Sequence, residues 1–130
     1  MTALLDIEAE LIGRATPVWP TAVVRDELDN NLLAELPTIQ FEQLPGGGED
    51  GLRLARALVD TNIYAATRAD AFALAIEVHN WLTRTVRGST SETAVIGRVG
   101  CLTLPAIRPY ENVGLRRVGG TYEIFLHPVS

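Results

Sequence analysis

The residues that could carry chemistry are few, and their spacing does not assemble them into a recognised site. Neither of the two histidines, His79 and His127, has a carboxylate partner at the spacing of a metal site. Cys101 is the single cysteine, which excludes an intrachain disulfide and a cysteine-based zinc site. Its apolar neighbours predict a small buried thiol within a strand. The sequence therefore predicts no metal site and no cofactor.

The patterns of nucleophilic and phosphate-handling enzymes are also missing from the sequence. Gly46–Gly48 is the one glycine cluster, and no Lys, Ser or Thr follows it at P-loop spacing. The serines do not form the Gly-x-Ser-x-Gly elbow of a hydrolase. Asp60 has only an amide, Asn62, beside it on the same strand face, so a pair of catalytic acids is not indicated. We predict that the protein is not an enzyme.

Composition favours one soluble domain that spans residues 1–130. A chain of 130 residues with 47% hydrophobic residues is long enough to bury its own core. Its net charge of −5 argues against binding nucleic acid by phosphate neutralisation. The N-terminus lacks the pattern of a secretory signal, and no window approaches the ~20 apolar residues of a membrane span. We expect synthesis in the cytosol and no membrane partner.

The stretch Arg53–Leu82 predicts a long strand followed by the longest helix. These two elements must position the other strands and helices of the fold. Apolar and polar residues alternate over positions 57–65, with a period of two. Thr67 and Asp70 have the spacing of a helix-capping box. Residues 71, 74, 75, 78 and 82 then repeat at helical spacing. A strand docked on its own following helix is the expected nucleus of the fold.

The helix is apolar over a wider arc than a sheet-packed helix needs. Phe72 and Ile76 extend the apolar stripe to roughly 220°, compared with about 100° for a typical surface helix. His79 lies beside Phe72, where a structural or interface role is expected. Either another segment of the chain, such as the N-terminal helix, or a neighbouring subunit is expected to cover Phe72, Ile76 and His79.

The remaining elements are predicted from periodicity and from prolines. Prolines 17 and 20 end an N-terminal helix, and Pro37 stops a short helix that Asp29 caps. The predicted elements are helices Asp6–Arg14 and Asp29–Leu36, strands Thr21–Leu28, Thr38–Leu44, Ala94–Leu104 and Leu115–His127, and an extended arm Leu104–Val113. Short connections favour antiparallel pairing. The fold class is therefore α+β, a two-layer fold with a mostly antiparallel sheet of four to five strands and both major helices on one face.

Two exposed segments are candidate contact surfaces. The Pro-Gly-rich stretch 45–51 predicts a loose hairpin tip, in which Gly46, Gly47, Gly48, Glu49 and Asp50 contact a partner and become ordered on binding. The one basic cluster comprises Arg108, Arg116 and Arg117. It is either a solvated or salt-bridged surface or a contact surface for an acidic partner.

Two stretches of the sequence carry a family resemblance. The first runs from Leu36-Pro37 through LPTIQFEQL and the glycine-rich stretch to LVDTNIYAATRADAFALA, and the second is PYENVGLRRVGGTYEIFLH. Together they resemble the tail terminator proteins of long-tailed, siphovirus-type phages of actinobacteria, or of their prophages. The resemblance extends from about Asp6 to His127.

The resemblance implies a structural virion protein that assembles in the host cytoplasm. Such a subunit closes into a ring, typically a hexamer, that caps the tail tube, stops its polymerisation and joins the tail to the head connector. The implied partners are copies of the chain, the tail tube protein and the connector, with DNA only passing through the lumen. We hypothesise that Asp60 and Asn62 line or border that lumen. The alternatives are another head–tail joining, neck or tail-tube protein, and a small cytosolic ligand-binding or enzymatic domain.

Overall fold

The computed structural model describes residues 5–29, 31–49, 54–110 and 114–129. Its elements are, in chain order, α1 (Ile7–Ala15), β1 (Val23–Arg25), a 3₁₀ turn (Leu32–Ala34), β2 (Thr38–Glu49), β3 (Ala55–Ala65), α2 (Arg68–Asn80), a π-helical turn (Trp81–Val86), β4 (Ala94–Arg108) and β5 (Arg116–Pro128). The sheet has the order β1-β2-β3-β5-β4, and only the β1–β2 pair is parallel. The predicted α+β fold with a mostly antiparallel sheet is confirmed.

Strand β3 lies in the middle of the sheet and pairs with β2 and β5. Its alternate residues Ala57, Val59 and Ile63 are buried under the two helices. The helices contribute buried residues to the same cluster, including Leu11 of α1 and Val78 of α2. Both helices therefore pack on one face of the sheet, and the opposite face carries the polar residues of the alternating pattern.

Side chains at the first turn fix where each α-helix begins. Asp6 Oδ1 accepts a hydrogen bond of 3.1 Å from the backbone nitrogen of Ala9, and Thr67 Oγ1 accepts one of 3.1 Å from that of Asp70. The N-cap predicted at Thr67 is confirmed. The main helix continues beyond the predicted end at Leu82, as a π-helical turn that ends at Val86. This wider turn buries Trp81, Leu82 and Val86 in the core.

The predicted helix from Asp29 to Leu36 is only a 3₁₀ turn. Its N-cap is Asn31, and Asp29 Oδ1 instead accepts a hydrogen bond of 2.9 Å from the backbone nitrogen of Asn31. This bond between residues two apart closes an Asx turn, which competes with helix initiation at Asp29. Leu32 is the one residue of the turn that is buried, in a small cluster with Tyr64 and Leu115.

The glycine cluster lies within a strand and not in the predicted hairpin tip. Strand β2 continues through Gly46–Glu49, with an irregular register between Leu44 and Gly48. Gly46 has a φ of 109°, and a Cβ atom on Gly47 would lie against the carbonyl oxygen of Arg56. A bulge that brings two backbones so close requires glycine. Asp50, which was predicted to belong to the same contact loop, lies outside the described residues.

Strand β4 is longer than predicted. The segment Leu104–Arg108, which was predicted to form an extended arm, pairs with β5. The pairing shifts register at three places along β4, so an extra residue interrupts each regular stretch. Pro105 is tolerated because β4 lies at the edge of the sheet, where no further strand needs its missing N–H group.

Candidate functional site

The polar face of the sheet contains an ion pair that the sequence did not predict. Arg108 Nη1 donates to Asp60 Oδ2 over 2.8 Å and to Asn62 Oδ1 over 3.1 Å. Thr121 Oγ1 donates to the other oxygen of Asp60 over 2.6 Å. The side chains of Asp60 and Arg108 are 15% and 22% exposed. The negative charge of Asp60 is therefore paired within the subunit.

Asn62 is completely buried at the centre of this polar network. Its Oδ1 accepts a hydrogen bond of 3.0 Å from Arg117 Nε, and its Nδ2 donates to Gln40 Oε1 over 3.3 Å. Tyr64 Oη donates to the same Gln40 oxygen. Among the described residues, no buried side-chain nitrogen or oxygen lacks a hydrogen-bond partner. The Asn62 side chain thus lies inside the subunit and is not free to line a lumen. The carboxylate of Asp60 is paired with Arg108, so it presents no unpaired negative charge to a lumen.

Gly119 makes room for this network. A Cβ atom at this position would lie 2.6 Å from Asn62 Oδ1 and 2.7 Å from Arg108 Cζ. Arg108 therefore lies directly over the backbone of β5. The sequence signal is the pair Gly119-Gly120 within a strand, which indicates a close approach but does not identify the arginine that fills the space.

The three arginines of the predicted basic cluster come together beside the end of the β4–β5 pair. Arg108, Arg116 and Arg117 line a cavity of about 300 Å³, together with Tyr110. Arg108 donates a hydrogen bond to Asp60, and Arg117 Nε donates one to Asn62. The cluster is therefore partly a salt-bridged surface, which was one of its two interpretations. Its contact with an acidic partner stays a prediction.

The three predicted interface residues of α2 differ in their solvent exposure and in their contacts within the subunit. Phe72 is half-buried against the core, and the guanidinium of Arg68 lies 4.6 Å from the centre of its ring. His79 Nδ1 is 2.8 Å from Tyr122 Oη in β5. Ile76 is 52% exposed. Of the three, Ile76 is thus the side chain most available to a partner, and its contact with one stays a prediction.

Further exposed apolar residues, which no sequence motif indicates, lie along β4. Leu102, Leu104 and Ile107 are exposed by 53%, 70% and 45%. The chain segment before β4 covers the first part of the strand, where Ile96 N donates to Ser89 O over 2.9 Å. Over residues 98–108, no further strand of the described chain lies beside β4. We call this stretch the β4 edge.

The β4 edge and Ile76 lie on the same side of the subunit. His79, one helical turn after Ile76, reaches Tyr122 of β5, and Tyr122 pairs with Cys101 of β4. This flank of α2 is therefore turned towards β4. The thiol of Cys101 and the phenol of Tyr122 also lie here, and burial raises the pKa of both groups. Both are protonated at neutral pH, so neither is an activated nucleophile.

A cavity of about 570 Å³ lies at the opposite side of α2, near β1. Its walls include Pro37, Ala65 and Leu74, and the carboxylates of Asp70 and Glu77 also line it. Trp19 Nε1 donates to Glu77 Oε1 over 3.3 Å, which holds one of these acids in place. We call this space the β1-side cavity.

The predicted contact residues Gly46–Glu49 line another cleft, of about 380 Å³. Leu54, Arg56 and Phe125 complete its walls. Arg56 Nε donates to Glu123 Oε2 over 2.6 Å and Arg56 Nη1 donates to Gly46 O over 3.2 Å. The glycines are exposed at the end of β2, so contact with a partner there stays a prediction.

The described residues contain no group of three or more His, Cys, Asp or Glu side chains placed to hold a metal ion. Within the same residues, neither helix combines the length and hydrophobicity of a bilayer-spanning segment. Comparison with models of protein families and with curated proteins finds no match to this chain.

Proposed function

We propose that this chain is a structural virion protein of the tail-terminator type. In this role it forms a ring, typically of six subunits, on the end of a phage tail tube. The ring stops polymerisation of the tube and offers a surface to the head connector, and DNA passes through its lumen. The order and spacing of the motifs that resemble this family support the proposal.

The observation that carries the proposal is the exposed apolar side formed by Ile76 and the β4 edge. Leu102, Leu104 and Ile107 lie on an edge strand, and each is exposed by 45% or more. An edge of this kind offers unpaired backbone groups as well as apolar side chains to another chain. Such a surface favours a subunit that functions within an assembly.

The character of the polar groups also supports a structural role. The carboxylate of Asp60 is bonded to Arg108 and Thr121. The Cys101 thiol and the Tyr122 phenol are held in their neutral forms by burial. These groups stabilise the sheet, and their bonds leave little capacity for substrate chemistry.

The test is polymerisation of the tail tube protein of the same phage or prophage, with and without this chain. We expect this chain to stop elongation and to leave a ring at one end of each tube in negative-stain electron micrographs. Tubes that elongate to the same lengths with bare ends in the presence of excess chain would overturn the proposal.

A further inference from the structure

The subunit has opposite charge at its two sheet edges. The β1 edge carries Asp26, Glu27, Asp29 and Glu35 against one basic residue, Arg25, which bonds to Asp29 over 3.3 Å and Glu35 over 3.0 Å. The hydrogen bond from the backbone of Asn31 lowers the pKa of Asp29 further below neutral pH, where an aspartate is already ionised. This edge is therefore strongly acidic.

The β1-side cavity adds two further acids to this edge. Asp70 and Glu77 lie one above the other on α2, seven residues apart, and both line the cavity. The rest of the wall is mostly apolar, with Ala65, Leu74 and Pro37 among its members. A cavity of this kind fits an aliphatic side chain that is uncharged or that ends in a cation.

The β4 side has the opposite character. Between Ala94 and Tyr110 the sequence contains no acid, and Arg98 is exposed on β4. The π-helical turn that contacts β4 contains the exposed Arg84 and is followed by the exposed Arg87. Glu92 is the one acid between residues 84 and 110. This side therefore presents exposed leucines together with three exposed arginines, Arg84, Arg87 and Arg98.

We propose that two copies of this chain associate head to tail, with Leu104 and its neighbours on the β4 edge of one copy seated in the acid-rimmed β1-side cavity of the next. Leu104 is the most exposed of the large apolar residues on β4, at 70%, and the cavity has room for a leucine side chain. The inference rests on the proposed ring and names the two surfaces that form it.

Charge decides between this arrangement and a two-fold dimer. A dimer formed by two β4 edges would place Arg98 and the arginines beside it against the same set, and two β1 edges would oppose acid with acid. Joining unlike edges pairs basic with acidic surface at every contact. A contact between two different surfaces repeats from copy to copy and closes into a ring when the rotation allows.

The first experiment compares substitutions of opposite charge at one position. Leu104→Glu places a carboxylate against Asp70 and Glu77, and we expect the apparent dissociation constant for self-association to rise at least about tenfold. Leu104→Arg places a cation there, and the constant should stay within about threefold of wild type. Ala9→Glu, on the exposed face of α1 and outside every proposed contact surface, is the matched control for an added carboxylate and should behave as wild type. Sedimentation velocity over a concentration series measures all four proteins.

The second experiment traps the contact covalently. In a Cys101→Ser background, a chain that carries both Leu104→Cys and Ala73→Cys has one thiol on each proposed surface, since Ala73 also lines the cavity. A short bis-maleimide should convert it into a ladder of oligomers that ends at the ring size. The chain with Leu104→Cys alone should stay uncrosslinked, whereas a β4-to-β4 dimer would crosslink it efficiently.

The outcomes separate this inference from the proposed function. If wild-type chain forms rings but the two Leu104 variants weaken them equally, or Leu104→Cys alone gives dimers, the inference is overturned and the terminator role stands. A wild-type chain that stays monomeric at every concentration, together with a double-cysteine chain that yields no ladder, also overturns the inference. The polymerisation test with the tail tube protein then decides the function separately.

Discussion

Arg108 of β4 donates two hydrogen bonds to the carboxylate of Asp60, across the intervening strand β5. The pair therefore joins the edge strand to the central strand on the face opposite the helices. The bonds to Thr121 and Asn62 tie the intervening strand and the central strand into the same network. The register of β4 shifts three times against β5, so the backbone pairing alone is irregular. The Arg108–Asp60 pair therefore helps to fix the position of the C-terminal part of β4.

The first prediction concerns the loss of this pair. Asp60→Asn should lower the free energy of unfolding by about 1–2 kcal/mol, because the largely buried guanidinium of Arg108 loses its counter-charge. The control is Glu123→Gln, which removes the counter-charge of Arg56 in the ion pair that these two residues form. The Arg56 side chain is 37% exposed, so this change should cost less than about 1 kcal/mol. Urea unfolding followed by tryptophan fluorescence measures both, and equal losses would contradict the special role of Asp60.

The second prediction concerns the space over Gly119. Gly119→Ala should lower the free energy of unfolding by about 1–3 kcal/mol, because the new methyl group displaces Arg108 from Asp60 and Asn62. Gly13→Ala in α1 is the matched control, since a Cβ atom there would meet no other atom within 4 Å. It should stabilise the helix by up to about 1 kcal/mol. Thermal unfolding of the two variants should shift in opposite directions, and two shifts in the same direction would contradict this account.

The third prediction concerns pH and Glu10, which fastens α1 to the segment before β4. Burial alone would raise the pKa of Glu10, but hydrogen bonds from Thr93, Arg14 and Ser91 outweigh burial and lower the pKa. The ionised carboxylate therefore stabilises the fold above its unfolded-state pKa of about 4.3, and this stability is lost as pH falls through the lower folded-state pKa.

Accordingly, Glu10→Gln should reduce the free energy of unfolding by about 1 kcal/mol at pH 7. The two curves of stability against pH should converge as pH falls through the lowered folded-state pKa of Glu10, because wild type then loses the same contribution. Glu27→Gln, at an exposed carboxylate, should differ little from wild type at either pH. If Glu10→Gln is less stable than wild type by the same amount in acid as at pH 7, the loss is due to the changed shape of the side chain and not to its charge.

The fourth prediction concerns Ile76, the most exposed residue of the predicted interface on α2. Ile76→Glu should leave the unfolding free energy of the monomer within about 0.5 kcal/mol of wild type, because the side chain is 52% exposed. It should weaken self-association, since a carboxylate replaces apolar contact area. Ala9→Glu, on the exposed face of α1, is the control for an added charge elsewhere. Unchanged association of Ile76→Glu by light scattering would remove this residue from the interface.

The parts of the fold that local signals determine could be predicted from the sequence. The alternation in β3 and the cap at Thr67 involve residues a few positions apart, and both are confirmed. In β5, Val118 and Ile124 lie an even number of positions apart, and both are buried in the same cluster. The placement of both helices on one face follows from these patterns.

The parts that depend on distant residues could not be predicted. The sequence pattern places Asp60 and Asn62 on a solvent-facing polar side of the strand, because their partner Arg108 lies more than 40 residues away in sequence and is not apparent from the pattern. The extension of β4 through Pro105 was missed because each register shift breaks the period-two pattern. The segment that contains the exposed leucines of the β4 edge has the ordinary composition of a strand. Only the order of strands in the sheet shows that they lie at its edge.

Native mass spectrometry of the purified wild-type chain tests most directly whether this subunit is built to contact copies of itself through unlike edges. We expect one dominant closed species, six times the monomer mass of 14.1 kDa in a hexameric ring, that dissociates as salt is raised from about 0.1 M to about 1 M and the opposite edge charges are screened. A chain that remains a monomer at every concentration, or that stops at a salt-insensitive dimer, would contradict the account.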